Sequence, residues 1–131
     1  MTNSKINKAY TFAVGRRKTA SARVRLFKGT GENSINNSNE IELIEKILNP
    51  FKLTNTLGKY YFTAKVAGGG KEGQAEAVVL GISRALAKVD PEKYRSILKK
   101  NNLLTRDSRS RLRRMVGTGG KARRRKQSPK R

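Results

Sequence analysis

Three groups of residues in this 131-residue chain have types and spacings that could do chemistry. Gly68-x-Gly70-x-x-Gly73 has the spacing of a dinucleotide-binding loop and lies between a strand pattern and a helix pattern, as such a loop must. Gly15-Arg16-Arg17-Lys18-Thr19-Ala20 places three cations in a turn between two strand patterns. Residues 106–131 carry Arg106, Arg109, Arg111, Arg113, Arg114, Lys121, Arg123, Arg124, Arg125, Lys126, Lys130 and Arg131 on a thread broken by Gly117, Gly119 and Gly120.

Each group has a chemical and a plain explanation. The chain is short for a doubly wound dinucleotide fold. No acidic residue ends a second parallel strand, and Asp90 is placed as a helix cap. Glycines at 68–73 also permit a tight, positive-φ entry into a helix. Free amides at that helix start would bind phosphate, with Lys71 assisting. The second group is no P-loop, because Lys18-Thr19 lacks the glycine before it and the one five residues earlier. It is either a solvated basic hairpin or a phosphate clamp joined by Arg23 and Arg25 from the next strand's outer face. Guanidinium forks suit bidentate phosphate contacts. Gly119-Gly120-Lys121-Ala122 fails as a phosphate loop: Met115 stands where glycine is needed and Ala122 where Ser or Thr is. The basic thread orders on RNA, or else serves as a solubilising or nuclear-localisation tail. About ten phosphate contacts would give log K a salt slope of roughly −7 to −9, with little reading of base sequence.

Composition favours a polyanionic partner. Lys and Arg number 31 and Asp and Glu 9, a formal charge of +22. Self-repulsion of that size opposes compaction. Nucleic acid fits a basic domain better than an anionic membrane or an acidic protein. No apolar run approaches the ~18–20 residues that span a bilayer, and no basic amphipathic helix with a broad apolar face stands out. With no Cys and no His, thiol chemistry, disulfides, most zinc sites and the commonest general base are excluded. No carboxylate pair is placed for acid–base work. The expectation is a protein that is not an enzyme and holds no cofactor or metal.

The elements that must position these groups follow from periodicity. Tyr10, Phe12 and Val14 alternate with Thr11 and Ala13 as a first strand. Ala22, Val24 and Leu26 alternate with Arg23 and Arg25 as a second, with one apolar and one basic face. Residues 29–39 read as a loop rich in turn formers. Asn39 and Glu42 resemble a capping box, predicting a helix with Ile41, Ile44, Ile47 and Leu48 inward that ends at Asn49-Pro50. Residues 60–67 predict a strand with Phe62, Ala64 and Val66 inside. Ala75, Val78, Val79, Ile82, Ala85, Leu86 and Val89 predict the strongest helix. Asp90-Pro91-Glu92 starts a last one, ending near Lys99-Lys100-Asn101. The fold class is α+β, a two-layer sheet-and-helix domain. Residues 1–9 are expected to be a flexible N-terminus, 10–105 the globular RNA-binding domain and 106–131 an extended basic tail. That tail carries a net +11, half the charge of the chain.

Gly15-Arg16-Arg17-Lys18-Thr19-Ala20-Ser21-Ala22-Arg23-Val24, Gly68-Gly69-Gly70-x-x-Gly73-Gln74-Ala75, Leu104-Thr105-Arg106-Asp107, Lys121-Ala122-Arg123-Arg124-Arg125 and a terminal Lys130-Arg131 occur in that order. From about Tyr10 to the end, the chain resembles the family of the bacterial-type ninth protein of the small ribosomal subunit. The resemblance implies a βαβ unit with a left-handed crossover and a place on the small-subunit head. It also implies small-subunit rRNA, neighbouring head proteins and peptidyl-site tRNA as partners, with no membrane and no homo-oligomer. Arg16, Arg17, Lys18, Arg23, Arg25, Lys71 and the tail cations through Lys126 would bind rRNA. Lys130 and Arg131 would approach the tRNA anticodon stem-loop. Leu112 and Met115 depart from the acidic and basic residues common there, and 117–120 is longer by one residue. Gln127-Ser128-Pro129 lacks the usual aromatic. Residues 1–9 have neither the apolar run of a signal peptide nor the length and arginines of a transit peptide. The expected location is therefore the ribosome, in a bacterial cytoplasm or inside a plastid or mitochondrion. A free histone-like architectural protein and a nucleotide-dependent enzyme are the other two readings.

Overall fold

The computed structural model describes residues 9–123 and 129. Strands β1 (Tyr10–Arg17) and β2 (Ala20–Lys28) form a hairpin. A short β3 (Ser34–Ile35) follows, then helices α1 (Ile44–Ile47) and α2 (Asn49–Leu53) and strand β4 (Tyr60–Ala67). Helices α3 (Lys71–Val89) and α4 (Pro91–Lys100) complete the domain. The sheet order is β1-β2-β4-β3. β2 pairs antiparallel with both β1 and β4, whereas β3 pairs parallel with β4. The fold is α+β.

One face of the sheet is covered. Ala22, Val24 and Leu26 of β2 and Phe62, Ala64 and Val66 of β4 point inward, as their alternation predicts. They meet Val78, Ile82, Ala85 and Leu86 of α3. Ile47, Phe51 and Leu98 close the core from the other helices. Phe51 and Phe62 stack with centroids 6.2 Å apart. Each fully buried side chain of this size contributes about 1.5–3 kcal/mol of apolar transfer.

Strand β1 faces the other way from what its bulk suggests. Its buried residues are Ala13 and Gly15, while Tyr10 and Phe12 are 50% and 43% exposed. The cause is the closeness of α3. A Cβ on Gly15 would lie 1.9 Å from the Ala77 carbonyl oxygen and 2.5 Å from the Gly81 amide. A Cβ on Gly81 would in turn meet Val24 at 2.6 Å. Only small residues fit beneath the helix here, so the large ones turn outward.

The segment between β2 and β4 departs from expectation. Asn39 does not cap a helix; its amide donates to the Glu32 carboxylate at 2.7 Å. Helix α1 starts at Ile44 after Leu43 in a left-handed conformation, with no side-chain cap. Glu42 pairs instead with Lys71 at 3.3 Å. Nor does Asn49-Pro50 end the helical region. Pro50 sits in the first turn of α2, where a missing N–H costs no intrahelical bond. The loop 29–39 also contains β3, which two asparagines extend. Asn33 accepts from the Phe62 amide at 3.1 Å. Asn36 accepts from the Val66 amide at 2.9 Å and donates to the Val66 carbonyl at 3.1 Å, imitating a strand residue. Asp90 caps α4 through the Lys93 amide, as expected.

Gly15→Ala should lower stability by about 3 kcal/mol or more, the upper end for an overpacked site. Gly70→Ala, with open space around its Cβ, should stay within about 1 kcal/mol of the parent. Urea denaturation of the two variants checks both expectations.

Candidate nucleic-acid interface

The three motifs that stood apart in the sequence meet at one end of the sheet. The turn after β1 lies against the loop before α3: a Cβ on Gly68, whose φ is +76°, would sit 2.5 Å from the Thr19 carbonyl oxygen. Gln74 closes that loop by donating to the Gly68 carbonyl at 3.0 Å. The Gly68–Gly73 segment is thus a connector wedged against a hairpin turn. Lys71, exposed at the start of α3, is paired with Glu42.

Arg17 draws in the third motif. Its side chain is only 13% exposed and ion-pairs with both Glu76 of α3 and, at 3.0 Å, Asp107. It also donates to the Arg109 carbonyl at 3.0 Å. Lys46 of α1 holds the other Glu76 oxygen at 3.0 Å. Asp107 in turn receives the Arg109 guanidinium and backbone amide. The guanidinium of Arg17 is therefore directed at the protein, and it ties down the residues where the C-terminal segment leaves the domain. Leu103 and Leu104 pack on the core just before this point.

These contacts shift two carboxyls. The Arg109 side chain, then its backbone amide, hold Asp107 well below its ordinary 3.8. Hydrogen bonding from Lys46, opposed by burial and helped by Arg17, holds Glu76 below 4.5. Both groups favour the folded arrangement when ionised. That contribution is present above their ordinary values and is lost as pH falls below them.

The remaining predicted contacts are open to solvent. Arg16 and Lys18 are exposed at the hairpin end, and Arg23 and Arg25 are exposed along β2. Arg106, Arg109, Arg111, Arg113, Arg114, Lys121 and Arg123 are exposed on a segment without helix or strand. Its apolar residues Leu112, Met115 and Val116 are over 80% exposed. Arg124, Arg125, Lys126, Lys130 and Arg131 lie outside the described residues. Sequence reasoning missed Lys65, which is exposed on β4 opposite Arg23. Its alternation with the buried Ala64 and Val66 was the available signal. Two further cations, Arg84 and Lys88 of α3, cover the edge of β1 by donating to the Val14 and Phe12 carbonyls at 2.9 and 2.8 Å. Among the described residues no cluster of His, Cys, Asp or Glu could hold a metal, and no helix is long and apolar enough to cross a membrane.

Known proteins are similar to this chain in sequence. The model of the family described as Ribosomal protein S9/S16 matches residues 15–131. The chain belongs to this family. A small ribosomal subunit protein uS9 from Maridesulfovibrio salexigens is 45% identical over 121 residues, covering 88% of this chain and 92% of the relative. Proteins of the same description from two strains of Dehalococcoides mccartyi are 46% identical over 114 residues, covering 82% of this chain and 86% of theirs. The family match takes in the hairpin turn, the glycine loop and the whole basic segment.

NMR titration of the full chain should find the Asp107 carboxyl ionising well below 3.8. In Arg109→Ala, which removes the first cause of the shift, the value should move up towards the ordinary one.

Proposed function

We propose that this chain is a non-enzymatic, structural constituent of the small ribosomal subunit, seated on its head and held there by rRNA. The convergence of the hairpin turn, the glycine loop and the root of the basic segment carries this reading. Arg16 and Lys18 at the hairpin end flank Arg17, which ties the root of a segment bearing at least seven more exposed cations, and Arg23 and Arg25 extend the exposed charge along β2. Phosphate backbones are the partner that such a surface and thread can share, since charge positions them without base reading. Relatives that carry the name of a small-subunit protein supply the particle.

In this reading Arg17 anchors the departing segment, and its neighbours Arg16 and Lys18 contact RNA. Lys71 adds to the same end of the domain. The unit from β3 through α1 and α2 to β4 links parallel strands; a left-handed crossover, rare in general, is the expectation carried over from the family resemblance. The residues from 106 onward form a tail that enters folded rRNA. Its last two cations, Lys130 and Arg131, approach peptidyl-site tRNA, where a cationic tip stabilises backbone phosphate of any tRNA. Neighbouring head proteins complete the surroundings, and the location is the ribosome.

Fractionation of native lysate on a sucrose gradient, repeated after a high-salt wash, tests the reading. The chain should sediment with small subunits at near one copy each and largely survive the wash. Recovery at the gradient top, or spread over all nucleic acid and removed by salt, would favour a free architectural protein. Deleting Lys130 and Arg131 should weaken tRNA occupancy of purified subunits without preventing assembly. Unchanged tRNA affinity would remove the tip assignment.

A further inference from the structure

The face of the sheet turned away from α3 is open, and its residues fall into three rows. Cross-strand pairing aligns Tyr10, Phe27 and Tyr61 in the first row. Phe12, Arg25 and Thr63 form the second, and Val14, Arg23 and Lys65 the third. Successive rows lie about 7 Å apart, two residues of strand rise. The face therefore grades from aromatic at one end to cationic at the other, where Arg16 adds a further charge beside Ser21. None of the three long strands contains an acidic residue.

The aromatic end is ordered by its own contacts. Phe27 and Tyr61 stack with centroids 5.0 Å apart and planes 12° from parallel. Tyr10 leans on Phe27 at 5.7 Å, and the Arg25 guanidinium lies over the Tyr10 ring at 5.1 Å. The backbone at Gly31 lies against Tyr61, where an added Cβ would come within 2.9 Å of the ring. The rings left to solvent are thus Tyr10 and Phe12, the two that the close approach of α3 turned outward. Beside them Phe12, Arg23, Arg25, Asn37, Thr63 and Lys65 line a shallow concavity of about 330 Å³.

We infer that this face is a stacking platform for unpaired bases of an RNA strand. The inference rests on the RNA-bound reading above and names the form of RNA taken. Exposed rings are of little use to a duplex, whose base faces are hidden in its own stack. An unpaired base has a free π-face, and stacking on an aromatic side chain is tolerant of base identity. Bases lie on Tyr10 and Phe12, and the strand's phosphates run over Arg23, Arg25 and Lys65. Thr63 and Asn37 supply neutral donors and acceptors for base edges. The face carries cations without acids, which matches a polyanion. Rings set beside cations favour RNA over an acidic protein surface, because unpaired bases stack on the rings while phosphates meet the cations.

The test uses the full chain and two labelled RNAs, a single-stranded oligonucleotide and a duplex of equal length, followed by anisotropy in moderately high salt. Tyr10→Leu with Phe12→Leu keeps charge and apolar bulk but removes both π-faces. It should bind the single strand roughly tenfold or more weakly, with duplex affinity and salt slope unchanged. Equal affinity for the single strand, or an equal loss for both RNAs, would overturn the platform. Ultraviolet cross-linking in native small subunits gives a second measure. A link from the Tyr10–Phe12 peptide to unpaired rRNA supports the platform, and a link to a neighbouring protein overturns it. Either failure leaves the sedimentation result, and with it the ribosomal reading, standing on its own.

Discussion

The contact between Gly15 and helix α3 constrains most of this molecule. With less than 2 Å between a would-be Cβ and the Ala77 carbonyl, no side chain fits on the inner face of β1 at that point. Three consequences follow from this one approach. The bulky residues of β1 are displaced to the open face. The helix lies near enough for Arg84 and Lys88 to reach the edge carbonyls of β1. The first turns of α3 come beside the hairpin end, so Glu76 meets Arg17.

Two well-placed acids fix the cations at the root of the basic segment. Glu76 and Asp107 flank Arg17, and each also binds a second cation. Removing one guanidinium would leave two carboxylates facing each other across the vacated space, and would free the root of the basic segment. The ion pairs on the open surface, such as Lys71 with Glu42, contribute little because water screens them. The partly covered Arg17 network differs in kind. It joins residues 59 and 90 positions apart and sets the direction in which the basic segment leaves.

Both edges of the sheet are partly covered by side chains. Cations of α3 occupy the carbonyls of β1, and Asn33 and Asn36 occupy the amides of β4 on either side of a two-residue strand. An edge whose polar groups are partly bonded is a poorer template for a second sheet. The open face is left as a broad surface lined by both rings and cations.

Periodicity in the sequence by itself determined β2, β4 and α3, because each has an apolar repeat matched to one buried face, whereas α4, which buries only Leu98, was marked by its start at Asp90-Pro91-Glu92. Charge segregation likewise marked the basic segment, and capping chemistry marked Asp90, since both are local properties. Tertiary structure alone decided the rest. Alternation shows that Tyr10 to Val14 is a strand but cannot say which face is covered; the glycine contact with α3 settles that. Asn39 and Glu42 have capping-box spacing, yet Glu32 and Lys71 take their side chains. Ser34 and Ile35 are too few for any periodic signal, and only the edge of β4 makes them a strand. Alternation sets Arg17 on the face of Ala13 and Gly15 and Arg16 on the other, but cannot say that an acidic partner awaits Arg17. Arg17 is held inward because Glu76 and Asp107, far away along the chain, are brought to either side of it by packing.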